Sequence, residues 1–170
     1  MKKLIVLLGR PGAGKTYLSQ KFIEKHSEFE LVDVWSYIKP LQTKDEVPEE
    51  KIFNRYELMY QEIAEMDQDI LLEIGTNYFD FNIKKLKELS NKFKVSPIFC
   101  LLDVSLCRER CLERMKDSLH VYRRKGALEE RLLKIFPDNH IKLADEIKLK
   151  YYSLEMDNSL EERIKFLENL

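Results

Sequence analysis

Two periods alternate along this chain, one of strands and one of helices. Leu4-Ile5-Val6-Leu7-Leu8 is an unbroken apolar run closed by Gly9, the pattern of a strand buried on both faces. Thr16 to His26 then carries Leu18, Phe22 and Ile23 on one helical face. Phe29 to Val34 reads as a second strand. After Pro48, apolar side chains from Ile52 to Ile63 recur at three and four, which predicts a helix. Ile70 to Ile74 predicts a third strand, and Ile83, Leu86 and Leu89 the next helix. Pro97 to Leu102 predicts a fourth strand that opens with its proline at an edge. Leu106 to Met115 reads as helical, and a polar, basic stretch follows to Gly126. Leu128, Leu132, Leu133 and Ile135 predict a helix stopped by Pro137, with a short helix after Asp138. Tyr151, Tyr152 and Leu154 give a fifth strand, and Leu160 to Leu167 a closing helix. Strands alternating with helices imply an α/β fold built on a mostly parallel sheet, whose ligands bind at the carboxyl ends of the strands.

Length and composition fit one domain spanning residues 1–170. There is no internal repeat, low-complexity tract or linker. Hydrophobic residues make up 44% and charged residues 35%, so the chain can bury a core. A net charge of −1 argues against wrapping extended nucleic acid, though a nucleic-acid end remains open as a substrate. The three cysteines, Cys100, Cys107 and Cys111, form no CxxC pair. They read as buried thiols rather than as a disulfide framework or a zinc site. The run Leu4 to Leu8 is too short for a membrane span or a signal-peptide core, so a reducing cytoplasm is expected.

The chemistry starts at Gly9-Arg10-Pro11-Gly12-Ala13-Gly14-Lys15-Thr16, which matches the Walker A pattern G-x-x-x-x-G-K-[ST] between a buried strand and an amphipathic helix. Its glycines let backbone N–H groups converge on phosphate at a helix N-terminus. Lys15 is a mobile charge for the β- and γ-phosphates, and Thr16 a hydroxyl ligand for Mg²⁺. The expected nucleotide-binding stretch is Gly9, Gly12, Ala13, Gly14, Lys15, Thr16 and Tyr17, with Arg10 solvated or, as the alternative, on phosphate. The absence of N-K-x-D and of an L-S-G-G-Q-like signature argues against a GTPase and a transporter ATPase.

From Arg108 to Arg131 lie eight basic and five acidic residues, a local charge of +3. Arg110 and Arg114 are spaced to leave one helical face, and a planar guanidinium suits a phosphate or a nucleobase. With the phosphate loop, this Arg-x-x-x-Arg helix, the basic segment and Glu130-Arg131-Leu132, the chain resembles the nucleoside-monophosphate-kinase-like group of small P-loop kinases. That group includes adenylate, shikimate and gluconate kinases and polynucleotide-kinase and zeta-toxin relatives. A second likeness, to the polynucleotide-kinase branch, spans Ile74-Gly75-Thr76-Asn77, Leu102-Asp103-Val104 and Cys111-Leu112-Glu113-Arg114. The resemblance implies a five-stranded parallel sheet of order 2-3-1-4-5 and ATP with Mg²⁺ as cofactors. It also implies a mobile lid at about 115–126 and a helical segment over the acceptor at about 36–68. By the same resemblance Arg110 would lie near adenine, Arg114 near phosphate, Arg123 or Arg124 on the lid, and Arg131 on phosphate from the returning helix. Two motifs of the adenylate kinases are missing. Glu73-Ile74-Gly75-Thr76 replaces Asp-Gly-x-Pro-Arg, and Asp33-Val34-Trp35-Ser36-Tyr37 follows strand two.

On the acceptor side, Asp33 ends strand two, where a carboxylate accepts the proton of an acceptor hydroxyl, orients that hydroxyl, or caps a turn. Glu73 ends strand three as a Mg²⁺ holder or as a carboxylate buried among partners. Thr76 and Asn77 are acceptor contacts or a helix N-cap, and Arg55 anchors an acceptor phosphate or pairs on the surface. Trp35 and Tyr37 stack on a ligand or pack locally. Asp45 to Asp69 holds nine acidic and two basic residues, a local charge of −7, which repels a long polyanion or simply wets a helix face. The expectation is a Mg-ATP-dependent kinase, monomeric or homodimeric, for a small-molecule or nucleotide acceptor. Lys15, Asp33, Arg114, Arg123 and Arg124 would act in catalysis, Asp33, Arg55, Glu73 and Asn77 at the acceptor, and Thr16 and Glu73 at the metal. The rivals are a nucleic-acid 5′-hydroxyl kinase and an ATP-hydrolysing switch or assembly factor acting on a protein partner.

Overall fold

The computed structural model describes residues 1–41, 47–117 and 126–170. Five parallel strands form one sheet of order β2-β3-β1-β4-β5: β1 (Lys2–Leu8), β2 (Phe29–Asp33), β3 (Asp69–Ile74), β4 (Phe93–Leu101) and β5 (Tyr152–Glu155). The expected α/β architecture and strand order are both observed.

Alternation within β1 sorts the core. Leu4, Val6 and Leu8 face one layer, with α3 (Glu49–Glu65), α4 (Phe79–Leu89) and α7 (Asp138–Glu146). Ile5 and Leu7 face the other, with α1 (Lys15–Ile23) and α8 (Leu160–Glu168). Helix α3 buries Tyr56, Met59, Tyr60 and Ile63, the three-and-four spacing expected of it, and leaves its acidic face to solvent. Helix α8 starts in a capping box: Ser159 Oγ accepts from the Glu162 N–H, and the Glu162 carboxylate accepts from the Ser159 N–H at 2.9 Å.

A third, smaller cluster lies at the carboxyl edge of the sheet. Here α5 (Val104–Asp117) and α6 (Ala127–Leu132) pack Cys107, Cys111, Leu128 and Leu132 around Ala13 of the phosphate loop. The three thiols are buried, as their apolar neighbours imply.

Four local expectations are corrected. Strand β4 starts at Phe93, so Pro97 lies inside it rather than at its opening. The proline is tolerated because β5 pairs with β4 only from Ile98 onward. Val34 leaves the second strand for a short helix, α2 (Val34–Ile38), capped by Asp33. Helix α6 ends at Leu132, and Leu133 and Ile135 are exposed beyond it. Helix α4 takes its cap position at Tyr78, in a left-handed conformation (φ 49°), rather than at Thr76 or Asn77.

Candidate active site

The phosphate loop runs from the end of β1 into α1. Gly12 (φ 82°) and Gly14 (φ 91°) take left-handed conformations, which turn the backbone N–H groups inward ahead of the helix. Gly12 is also required sterically, because a Cβ there would overlap the carbonyl oxygen of Cys107 on α5. Lys15 is buried, and its ammonium donates to the carbonyls of Gly9 (2.9 Å) and Arg10 (3.1 Å). The head is thus held at the mouth of the loop by neutral acceptors, with no carboxylate competing for its charge among the described residues.

Parallel register sets Asp33 beside Glu73, and the start of α1 brings Thr16, the other expected metal residue, to Glu73. Asp33 and Glu73 are partners across β2 and β3, so both carboxylates leave the face that carries α1. The Thr16 hydroxyl donates to Glu73 Oε1 at 2.7 Å, and Ser19 to Glu73 Oε2 at 3.3 Å. A hydroxyl and a carboxylate in contact beside a phosphate loop form an all-oxygen donor set, which suits Mg²⁺. The fit is good, although the described residues contain no cluster of three metal-ligating His, Cys, Asp or Glu side chains. Phosphate oxygens and water would complete such a shell.

Asp33 does two things. Its Oδ1 accepts from the Ser36 N–H at 2.9 Å as the cap of α2, while Oδ2 has no hydrogen bond among the described residues. The cap fixes the carboxylate without consuming both oxygens. Tyr37 donates to Glu62 at 2.5 Å and so joins α2 to α3, a packing role rather than a free stacking face.

Buried hydrogen bonds hold the loop after β3. Tyr60 donates to Asn82 Oδ1 (2.9 Å), and Asn82 Nδ2 donates to the Asn77 carbonyl (2.8 Å). Asn77 Oδ1 accepts from Lys134. Burial pushes the Tyr56 phenol up to about 12, against the opposing field of Arg131. Burial and the same arginine hold the Lys134 ammonium below its ordinary range. Arg131 stands within the field of Tyr56, Tyr78 and Lys134. Arg55 is half-buried on α3 and makes no ion pair among the described residues.

On α5, Arg110 Nη1 donates to the Gly12 carbonyl at 3.4 Å. Arg114 is exposed and contacts Cys111 Sγ at 3.6 Å. Tyr17 is exposed beside Thr16. Arg123, Arg124 and most of the expected lid lie outside the described residues.

Two further arginines lie in or against the loop. Arg163 on α8 lies, with Arg110 and Met156, within 4 Å of where a Gly14 Cβ would stand. Its only sequence signal was helical spacing from the loop that follows β5. Arg10, expected in solvent or on phosphate, instead bonds to backbone carbonyls. Its Nε donates to the Leu132 carbonyl (3.1 Å), and its Nη2 to those of Lys134 (3.2 Å) and Phe136 (3.0 Å).

The sheet order, the phosphate loop and the two helices flanking the basic segment define the fold of the small P-loop kinases. Solved structures share it along nearly the whole chain. The shikimate kinase from Acinetobacter baumannii in complex with shikimate is 17% identical, with 99% of this chain and 93% of that one covered and a TM-score of 0.64. A shikimate kinase from Bacteroides thetaiotaomicron is 18% identical over 98% and 97%, at 0.65. A gluconokinase from Sinorhizobium meliloti 1021 is 11% identical over 96% and 87%, at 0.66. No family model and no curated protein matches the sequence.

Proposed function

We propose that this protein is a Mg-ATP-dependent kinase that moves the γ-phosphoryl group to a hydroxyl of a small-molecule or nucleotide acceptor. The observation that carries the reading is the contact of Thr16 with Glu73 next in sequence to a buried, carbonyl-held Lys15, with Asp33 beside Glu73 in register.

The loop amides and Lys15 bind and orient the β- and γ-phosphates. Thr16 and Glu73 would hold Mg²⁺, which supplies charge neutralisation to the phosphates when bound. Asp33 offers its second oxygen to the acceptor hydroxyl, aligning it and accepting its proton as the new O–P bond forms and the bond from the γ-phosphorus to the β,γ-bridging oxygen breaks, leaving ADP. Arg114 and the lid arginines Arg123 and Arg124 would stabilise charge on the transferring group, and Arg110 would face the nucleobase. Arg55, Asn77 and Arg131 would meet the acceptor or its charged substituent. The acidic outer face of α3 disfavours a long polyanionic strand across that side. This weighs against a nucleic-acid 5′-hydroxyl kinase.

The test is ADP release from Mg-ATP across a panel of nucleosides, nucleoside monophosphates, sugars, amino alcohols, hydroxy acids and a 5′-hydroxyl oligonucleotide, with Lys15→Ala as blank. A rise with one class that disappears in the variant is the expected result. A slow rate that no acceptor changes would overturn the kinase reading and leave an ATP-driven switch.

A further inference from the structure

We infer that Arg10 is a positioning residue: it ties the phosphate loop to the returning side of the basic segment, so that α6 and its Arg131 take their place from the loop. The catalytic part of this inference rests on the kinase reading above; the mechanical part does not.

Arg10 sits at the second position of the loop, yet its guanidinium points away from the phosphate cradle. It donates three hydrogen bonds to backbone carbonyls over five residues, those of Leu132, Lys134 and Phe136. Its guanidinium carbon also lies 5.5 Å from the centre of the Phe136 ring. Leu132 is the last residue of α6, so the cation meets the end of a helix where carbonyls lack intrahelical partners. A fork of fixed geometry can hold three such oxygens at once, whereas a lysine offers one head.

The opposite stalk of the same segment is tied to the same loop. Arg110 on α5 donates to Gly12, and Ala13 is packed among Cys107, Cys111, Leu128 and Leu132. Arg108 and Glu129 then join α5 to α6 through two bonds of 2.8 Å. That pair is exposed and orients the stalks more than it stabilises them. The α5 stalk has a steric anchor as well, because Gly12 lies against the Cys107 backbone. The far end of α6 and the loop to Pro137 are held by Arg10, by Leu132 in the cluster around Ala13, by the bond from Lys134 to Asn77 and by the ring contacts of Phe136 with Phe99 and His140, and of these only Arg10 binds the backbone carbonyls directly. Arg131 is one residue before Leu132, so loss of this grip would release it first.

The test combines hydrogen exchange with kinetics on the full chain. In Arg10→Met, amide exchange over residues 127–137 should quicken about tenfold or more while exchange in 70–74 stays unchanged. Arg10→Lys, which keeps charge and length, should fall between Arg10→Met and the wild type and serves if the methionine variant does not fold. In ADP release, Arg10→Met should lose about tenfold in kcat with KM for ATP within about threefold. Combined with Arg131→Met, it should do no more damage than Arg131→Met alone, because one acts through the other. Unchanged exchange over 127–137, or losses that multiply in the double variant, would overturn the assignment. If the wild type releases no more ADP than Lys15→Ala, the kinase reading falls and the exchange result alone decides the brace.

Discussion

His140 offers a measurable acid sensitivity. The ring is 2% exposed, enclosed by Phe79, Phe99 and Phe136, and neither nitrogen has a hydrogen-bond partner among the described residues. Burial, aided by Lys134 and Arg10, lowers its pKa from 6.5 to about 4. The unfolded chain therefore takes up this proton first as pH falls. The stability that the neutral ring contributes is complete above about pH 6.5 and is lost on the way down to about 4. A shift of that size corresponds to about 3 kcal/mol in all, of which about 2 kcal/mol should be gone by pH 5. His140→Leu and His140→Phe abolish the titration, and both relieve an unsatisfied buried polar ring that costs about 1–3 kcal/mol. Their packing errors are the same at every pH, so the informative quantity is the difference in unfolding free energy between variant and wild type. Urea denaturation at pH 8, 6 and 5 should show that difference moving in the variants' favour by about 2 kcal/mol. A difference that stays constant across this range would refute the neutral, unpartnered histidine.

Three further outcomes are expected. Gly12→Ala forces a left-handed backbone onto a side chain and drives its methyl into the Cys107 carbonyl, so it should cost about 2–4 kcal/mol in chemical denaturation and abolish nucleotide binding by titration calorimetry. Glu73→Gln should weaken Mg-ATP binding about tenfold yet leave binding of ATP in EDTA within about twofold, because on the proposed reading the carboxylate would act through the metal. Tyr60→Phe leaves Asn82 Oδ1 without its buried donor and should lower unfolding stability by about 1–3 kcal/mol, read by urea denaturation at pH 8.

The strands and the phosphate loop were legible because their signals are local. An apolar run ending in glycine, followed by Gly-Lys-Thr, says where a chain leaves a sheet. Thr16 and Glu73 were each legible as metal candidates from the phosphate-loop motif and the end of a strand, and their direct contact appears only in the structure. What stayed hidden depended on partners far along the chain. Val34, Trp35, Tyr37 and Ile38 have strand-forming side chains, yet the Asp33 cap and the bond from Tyr37 to Glu62 make that stretch helical. Pro97 looked like a boundary because proline cannot donate, and only the late start of β5 shows why the strand runs through it. Leu133 and Ile135 fit a helical period, but the helix ends where Arg10 takes its carbonyls. Arg10 itself carries no periodic signal, and its partners lie 122 to 126 residues away.

The late start of β5 also bears on how the molecule behaves in a crowd. An open sheet edge is a template on which another chain can add a strand. Here that edge is only four residues long, Tyr152–Glu155, and Lys150 just before it lies 5.2 Å from the Tyr152 ring centre. Behind it, the stretch of β4 before Ile98 includes a proline that has no N–H to give. An incoming strand would find a short footing beside a positive charge and a gap in the donors at its far end. The proline that interrupts the sequence pattern thus also shortens the footing that this edge of the sheet offers.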